Sequence, residues 1–242
     1  MATYGLIGRN ISYSFSKAYF EDFFEKNNLP HTFINFDIAD ISKLPEIISQ
    51  YTPHLKGLSV TIPYKKKVLQ YLDAIDEQAL AIGAVNSIKI DEHQKLIGYN
   101  TDAYGFKKSL EKHLFGQKKA LVLGSGGASL AVRYVLESLE ISYWVVSRIS
   151  SEEVLAYKDL NAQLLGDYQL IINCTPLGSG MNIEEFPLLP YKFLTPQHLL
   201  FDLVYNPSET LFLKKGKEQG ARVVNGLEML FYQAEKSWEL WN

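Results

Sequence analysis

Cysteine is nearly absent: the 242 residues contain one, Cys174. A single thiol excludes an intrachain disulfide and any metal site that needs two cysteines. Long apolar runs are missing as well. No stretch approaches the about 18 residues that read as a membrane-spanning helix. The start, Met1-Ala-Thr-Tyr-Gly5, lacks the basic and apolar regions of a secretory signal. Charge of one sign is not in excess either, with 24 Lys and Arg against 27 Asp and Glu, a formal net charge of −3. The longest basic tract is Lys65-Lys66-Lys67, so nothing points to nucleic acid or to an anionic membrane. Internal repeats and low-complexity segments are lacking too. The expected setting is the cytoplasm, with a small-molecule partner and no metal.

What is present reads as a soluble globular protein, 47% apolar and 21% charged, long enough for one large domain or two ordinary ones. A strand, a glycine-rich turn and a helix stand mid-chain. They run from Ala120-Leu-Val-Leu123 through Gly124-Ser-Gly-Gly-Ala128 into Ser129-Leu-Ala-Val-Arg-Tyr-Val-Leu136. A buried parallel strand is a short apolar run, and glycines after it let the backbone turn tightly into a helix. The amides at that helix start suit the pyrophosphate of a dinucleotide. Such a turn is also compatible with a tight turn and nothing more. A domain's length of chain precedes it, which suggests a cofactor domain serving a separate substrate domain. The next apolar run, Tyr143-Trp-Val-Val146, ends in Ser147-Arg148, about twenty residues past the turn. An acid at this strand tip would bind the ribose hydroxyl of NAD, whereas Arg148 suits the 2′-phosphate of NADP. The plainer alternative is an ordinary solvated charge.

Strands and helices alternate throughout. Strands are expected at Tyr4–Ile7, Thr32–Phe36 and Leu58–Ile62, the last holding Thr61 inside it and ended by Pro63. Ser16 is a candidate cap for a helix carrying Phe20, Phe23 and Phe24, an aromatic stripe that reads as core. Leu44, Ile47, Ile48 and Tyr51 mark a second helix, and short helices follow at Val68–Leu72 and Glu77–Ile82. Val85–Ile90 and Leu96–Tyr99 read as a hairpin. Thr101 caps a connecting helix through Leu114, and the domain boundary is placed there. The second half gives strands at Leu121, Tyr143, Leu170–Asn173, Leu199–Asp202 and Arg222–Val224, with helices between most of them. The proline-rich stretch from Gly178 to Pro196 reads as a surface loop, and a last helix follows Gly226. The expected fold is α/β with two domains. An N-terminal α/β substrate domain covers 1–101, with a C-terminal helix at 226–242 packing back on it. A Rossmann-type dinucleotide-binding domain with a parallel sheet covers 102–225.

Polar residues cluster at the strand ends: Ser14 and Ser16, Thr61 with Lys65, Asn86, and Asn100-Thr101-Asp102. Each has an ordinary reading as a cap, a β-former or a turn residue. Together they sit where open α/β sheets collect ligand groups. Hydroxyls and amides with one Lys and one Asp suit a small polyhydroxylated substrate.

These segments carry a resemblance that runs nearly end to end. Gly5-Leu-Ile-Gly8, Ser14-Phe-Ser16, Val60-Thr-Ile-Pro-Tyr-Lys65, Gly83-Ala-Val-Asn86 and Gly98-Tyr-Asn-Thr-Asp102 come in order. Gly124-Ser-Gly-Gly-Ala128, Asn173-Cys-Thr-Pro-Leu-Gly178, Asp202-Leu-Val-Tyr205 and Gly226-Leu-Glu-Met-Leu-Phe-Tyr-Gln-Ala234 follow. The set resembles the shikimate dehydrogenase family, which reduces 3-dehydroshikimate to shikimate with NADPH in aromatic amino-acid biosynthesis. The resemblance implies Lys65 and Asp102 as the catalytic pair, with Lys65 giving a proton to the reacting oxygen and Asp102 orienting it. It implies Ser14, Ser16, Thr61, Asn86, Tyr205 and Gln233 around the substrate, in addition to that pair. On the cofactor side it implies Gly124, Ser125, Gly126, Gly127 and Ala128 at the pyrophosphate, and Ser147 and Arg148 at the ribose phosphate. Leu203, Gly226 and Met229 would lie along the nicotinamide, with Glu77 also on the cofactor side. Cys174 reads as packing.

The chain departs from the family in places. Arg9-Asn10 stands where Asn-Pro is usual, and Lys17 where Pro follows the second serine. Ser147-Arg-Ile149 replaces Asn-Arg-Thr, with Glu152 and Glu153 in place of a second arginine nearby. The chain ends at Asn242, short of the terminal segment of longer members, which leaves monomer and homodimer both open. Two rivals remain: an NAD-preferring quinate/shikimate dehydrogenase, and a shikimate-sensing relative without turnover.

Overall fold

The computed structural model describes every residue except Tyr13, and every side chain but those of Tyr13 and Met181. The chain divides into two compact units, Met1–Thr101 with Ala234–Asn242, and Asp102–Gln233. The first unit holds β1 (Thr3–Gly8), α1 (Phe15–Lys26), β2 (Thr32–Asp37), α2 (Leu44–Tyr51) and β3 (Leu55–Val60). A 3-10 turn at Lys67–Tyr71 leads to β4 (Ala74–Ile75), α3 (Glu77–Ile82), β5 (Ser87–Ile90) and β6 (Leu96–Tyr99). The six strands form one sheet in the order β2-β1-β3-β5-β6-β4. β1 lies parallel to β2 and β3, while β5 runs antiparallel to β3 and β6.

Alternation along β1 explains how both faces of this sheet are filled. Tyr4 and Leu6 point to a cluster with Phe20, Phe24 and Phe33. Ile7, one residue on, joins Leu44, Ile47, Leu58 and Val60 on the other side. Successive strand residues face opposite ways, so a strand covered on both faces must be apolar at nearly every position. The phenylalanines of α1 supply the first cluster, where Phe20 stacks on Phe33 with ring centroids 4.8 Å apart. Trp241, near the chain's end, stacks on Tyr4 at 5.3 Å.

The second unit begins with α4 (Thr101–Glu111, from Asp102 on). It continues with β7 (Lys119–Leu123), α5 (Gly127–Ser138), β8 (Ser142–Ser147) and β9 (Val154–Ala156). Then come α6 (Ala162–Asp167), β10 (Leu170–Asn173), β11 (Leu199–Asp202), α7 (Leu211–Glu218), β12 (Arg222–Val224) and α8 (Leu227–Trp241), the last of which the unit division cuts. All strand pairs here are parallel, in the order β12-β11-β10-β7-β8-β9. The chain therefore runs outward from β7 to one edge, returns to β10 beside it, and runs to the other edge. The reversal between β7 and β10 is the switch point of a Rossmann sheet.

Several local expectations change. Ser14, not Ser16, caps α1, its side chain accepting from the Ser16 N–H at 3.3 Å. The third strand ends at Val60, because a turn starts at Thr61, whose carbonyl accepts from Tyr64 N–H at 2.9 Å. The connecting helix ends at Glu111 rather than Leu114. The 178–196 stretch is not simply surface: Leu189 and Leu194 are buried in the second unit's core, with Phe186, Tyr191 and Phe193 packed against it. The short strands β4 and β9 have no sequence signal of their own.

Candidate functional site

In the first unit the candidate residues gather at one end of the sheet. The parallel strands β1 and β3 end side by side, with Thr61 N–H donating to Ile7 O at 2.9 Å and Arg9 N–H to Ile62 O at 3.2 Å. Ser14 and Ser16 follow the first of these ends, and Thr61 and Lys65 the second. Asn86 stands beside them, its carbonyl accepting from Val60 N–H at 2.7 Å just before β5 starts back. Glu77 opens α3 after β4, is exposed, and lies at this same sheet end near the edge.

Two contacts hold the segment that carries Lys65. Tyr64 is 1% exposed and its hydroxyl donates to Ile38 O at 2.6 Å. The Lys65 carbonyl accepts from Val85 N–H at 2.8 Å. A long, flexible cation is thereby mounted on a fixed backbone. Asn86, 3% exposed, uses its amide to clamp Thr101: Nδ2 donates to Thr101 Oγ1 at 2.9 Å, and Oδ1 accepts from Thr101 N–H at 2.6 Å. Thr101 Oγ1 also meets Ser237 Oγ at 3.0 Å. Ser237 is fully buried, and sequence reasoning missed it because a serine inside an amphipathic helix looks like any surface position.

In the second unit, Asp102 is 6% exposed in the first turn of α4. Tyr205 is half-buried after β11, and Gln233 donates from Nε2 to Leu230 O at 2.9 Å within α8. The predicted substrate residues are therefore divided, with Ser14, Ser16, Thr61, Lys65 and Asn86 in one unit and Asp102, Tyr205 and Gln233 in the other.

The predicted cofactor residues of the second unit lie around the carboxyl ends of its strands. Gly124 has φ +99°, and a Cβ there would stand 2.9 Å from Thr175 Cγ2, so only glycine suits the turn. Gly126 caps α5 without a side-chain bond, and a Cβ built on it meets nothing within 4 Å. Ser125 and Gly126 are exposed and Gly127 and Ala128 half-exposed at the start of α5, while Ser129 is buried with its N–H on Gly126 O at 3.1 Å. An accessible helix start of this kind suits a pyrophosphate. Ser147 ends the neighbouring strand β8, and Arg148 follows it, exposed. Among the described residues, neither Glu152 nor Glu153 forms an ion pair with Arg148, which leaves the guanidinium available for a phosphate. Leu203 and Gly226 touch closely, since a Cβ on Gly226 would fall 2.2 Å from Leu203 O. Met229, 7% exposed, lies in the first turn of α8.

A buried polar network, also missed from sequence, underlies this end of the sheet. Asp202 is fully buried and accepts from Asn173 Nδ2 at 2.9 Å, Val204 N–H at 3.0 Å and Thr210 Oγ1 at 2.6 Å. Burial pushes its carboxyl up to about 6, against the lowering effect of those three donors. Burial also pushes the Cys174 thiol well above its ordinary value, with Asp202 adding to the effect. Cys174 is thus kept as a thiol rather than a nucleophilic thiolate. The available signal was a polar residue closing an apolar strand, as in Leu199-Leu-Phe-Asp202 and Leu170-Ile-Ile-Asn173.

This strand order with a glycine turn at its switch point defines a dinucleotide-binding α/β protein, here joined to a second α/β unit. The family model of the shikimate dehydrogenase substrate binding domain matches residues 6–88. The chain is 39% identical over 253 residues to a shikimate dehydrogenase (NADP(+)) of Clostridium botulinum (strain Hall), covering 100% of this chain and 96% of the relative. It is 35% identical over 257 residues to that of Methanococcus vannielii, covering 98% and 90%. This chain belongs to the shikimate dehydrogenase family. Among solved structures, shikimate 5-dehydrogenase from Thermus thermophilus in complex with NADP(H) and shikimate matches with a TM-score of 0.87 and 29% identity, covering 100% of this chain and 94% of that one.

Proposed function

We propose that this protein is an NADP-dependent shikimate dehydrogenase, interconverting 3-dehydroshikimate and shikimate on the route to chorismate and the aromatic amino acids. The observation that carries this reading is similarity over essentially the whole chain to enzymes named shikimate dehydrogenase (NADP(+)). Arg148 at the tip of β8 supports the phosphorylated dinucleotide over NAD. Bound NADPH would supply the hydride that reduces the C3 ketone.

The remaining chemistry falls to side chains. Negative charge grows on the ketone oxygen during reduction, and the Lys65 ammonium stabilises it and delivers the proton. Asp102, the other member of the catalytic pair, takes the hydroxyl beside the reacting carbon. Ser14, Ser16, Thr61, Asn86, Tyr205 and Gln233 hold the other hydroxyls and the carboxylate. The amides of 124–128 hold the pyrophosphate, Ser147 and Arg148 the ribose phosphate, and Leu203, Gly226 and Met229 the nicotinamide, with Glu77 on the cofactor side. Among the described residues no helix is long and apolar enough to cross a membrane, in keeping with a cytoplasmic enzyme acting on small molecules.

The test is a four-way assay at the nicotinamide absorbance band, with shikimate or quinate, each with NADP+ or NAD+. Turnover of shikimate with NADP+ well above the other three supports the reading. Preference for quinate with NAD+, or binding without turnover, overturns it.

A further inference from the structure

The dinucleotide turn rests on a chain of polar groups whose inner members are buried and whose outer member, Thr175, is half-buried. Asp202, Asn173 and Thr210 are each 0–1% exposed. Asn173 donates to the Asp202 carboxylate through Nδ2, and its Oδ1 accepts from Thr175 N–H at 3.0 Å and from Thr175 Oγ1 at 2.6 Å. The Thr175 methyl then occupies the space beside Gly124 that a side chain there would need, 2.9 Å from the built Cβ. On its other side Asp202 holds Val204 N–H, next to Leu203. One carboxylate thus reaches two segments at once: the floor under the glycine turn, and the 203–204 segment assigned above to the nicotinamide.

From this we infer that Asp202, acting through Asn173 and Thr175, is a positioning residue for the dinucleotide. It touches no ligand, being fully buried. Its contribution is to fix where the turn and Leu203 stand before the cofactor arrives, so that less ordering is left to binding. A residue whose only task was to join β10 to β11 would not need three converging donors. An apolar pair of the same shape is often as stable as a buried charge with its partners. The inference rests on the dinucleotide-binding reading above.

Three variants test it, with Kd for NADP+, NAD+ and shikimate measured by calorimetry well below each variant's Tm. Asp202→Leu removes the acceptor for all three donors and should weaken NADP+ and NAD+ alike by about tenfold, equal to about 1.4 kcal/mol. Shikimate affinity should hold. Asp202→Asn keeps an oxygen toward Asn173 and Val204, turns its amide toward Thr210, and should restore most of the loss. Thr175→Val keeps the methyl contact with Gly124 but removes the hydroxyl that bonds Asn173. It should shift both dinucleotides in the same direction by a smaller factor, and it decides the matter where Asp202→Leu does not fold. A lowered Tm with all three affinities unchanged would make the network structural only and overturn the inference. Weakening of NADP+ without NAD+ would also overturn it, since the turn serves the pyrophosphate common to both. Wild-type protein that binds neither dinucleotide removes the functional reading itself, an outcome distinct from wild-type binding with unaffected variants.

Discussion

Replacing Gly226 with alanine places one carbon where the backbone leaves no room. The added Cβ would lie 2.2 Å from Leu203 O, 2.7 Å from Leu203 C and 3.2 Å from Asp202 O. Reaching an ordinary nonbonded separation requires a relative movement of about 1 Å. The obstructing atoms are main chain and are tied in place. Leu203 N–H donates to Asn173 O at 3.0 Å, Val204 N–H to Asp202 Oδ1 at 3.0 Å, and Gly226 N–H to Val204 O at 3.1 Å. Overpacking of this kind costs about 1–3 kcal/mol. A chain of this size loses about 2–4 °C per kcal/mol, so Tm should fall by about 2–12 °C. Function should fall further than stability, because displacement of about 1 Å at a reacting group can cost about a hundredfold in rate. The assay is steady-state kinetics with NADP+ and shikimate alongside a thermal melt. The Michaelis constant for NADP+ should rise and turnover drop, with the constant for shikimate little changed. Should kcat and both Michaelis constants stay within about twofold of wild type, the 203–204 segment is slack and its assignment to the nicotinamide is wrong.

Lys65→Ala should cut turnover by about a hundredfold or more while leaving shikimate affinity close to wild type, because its ammonium serves charge that develops only during reaction. A rise confined to the Michaelis constant would make Lys65 a binding residue. Arg148→Ala should weaken NADP+ by about tenfold, the lower end of a charge-assisted contact given its exposure, and NAD+ hardly at all. Equal loss for both cofactors would return Arg148 to the status of a surface charge. The unfolded chain releases the Asp202 proton near pH ~4, whereas the folded protein holds it to about 6. Between these values the native state binds more protons, so stability should decline as pH rises through the interval and level off above it, by at most about 3 kcal/mol. Urea melts across that range should show a flatter profile for Asp202→Asn, and identical profiles would mean that Asp202 is ionised throughout.

The architecture was legible wherever tertiary packing agreed with local pattern. Tyr4–Ile7 and Leu121–Leu123 are apolar without interruption because both faces of their strands are covered, and that pattern survives in the sequence alone. Phe20 and Phe24 announce the buried side of α1 by their spacing. β4 and β9 were not legible, since two- and three-residue edge strands exist only because a neighbour offers hydrogen bonds. The 178–196 stretch misled through its prolines. Its segment from Phe186 to Leu194 covers the core with no regular structure beyond a 3-10 turn at Tyr191–Phe193, so burial left no period to read.

The candidate site was legible as a set of positions rather than as a division of labour. Polar residues at strand ends are visible in sequence, but two physically different groups share that appearance. Asn86 and Thr101, like Asp202 and Asn173, are buried and bonded to one another. Ser14, Thr61, Ser147 and Arg148 retain exposure at the same sheet ends. Burying a polar group without a partner costs more than a hydrogen bond returns, so such residues come in mutually satisfied sets. Which residues form a set depends on separations in sequence of 15 for Asn86 with Thr101, 29 for Asn173 with Asp202 and 136 for Thr101 with Ser237. No local pattern encodes those distances. A strand-end polar residue is therefore visible in the sequence, whereas the partner that buries and orients it is fixed only by the fold.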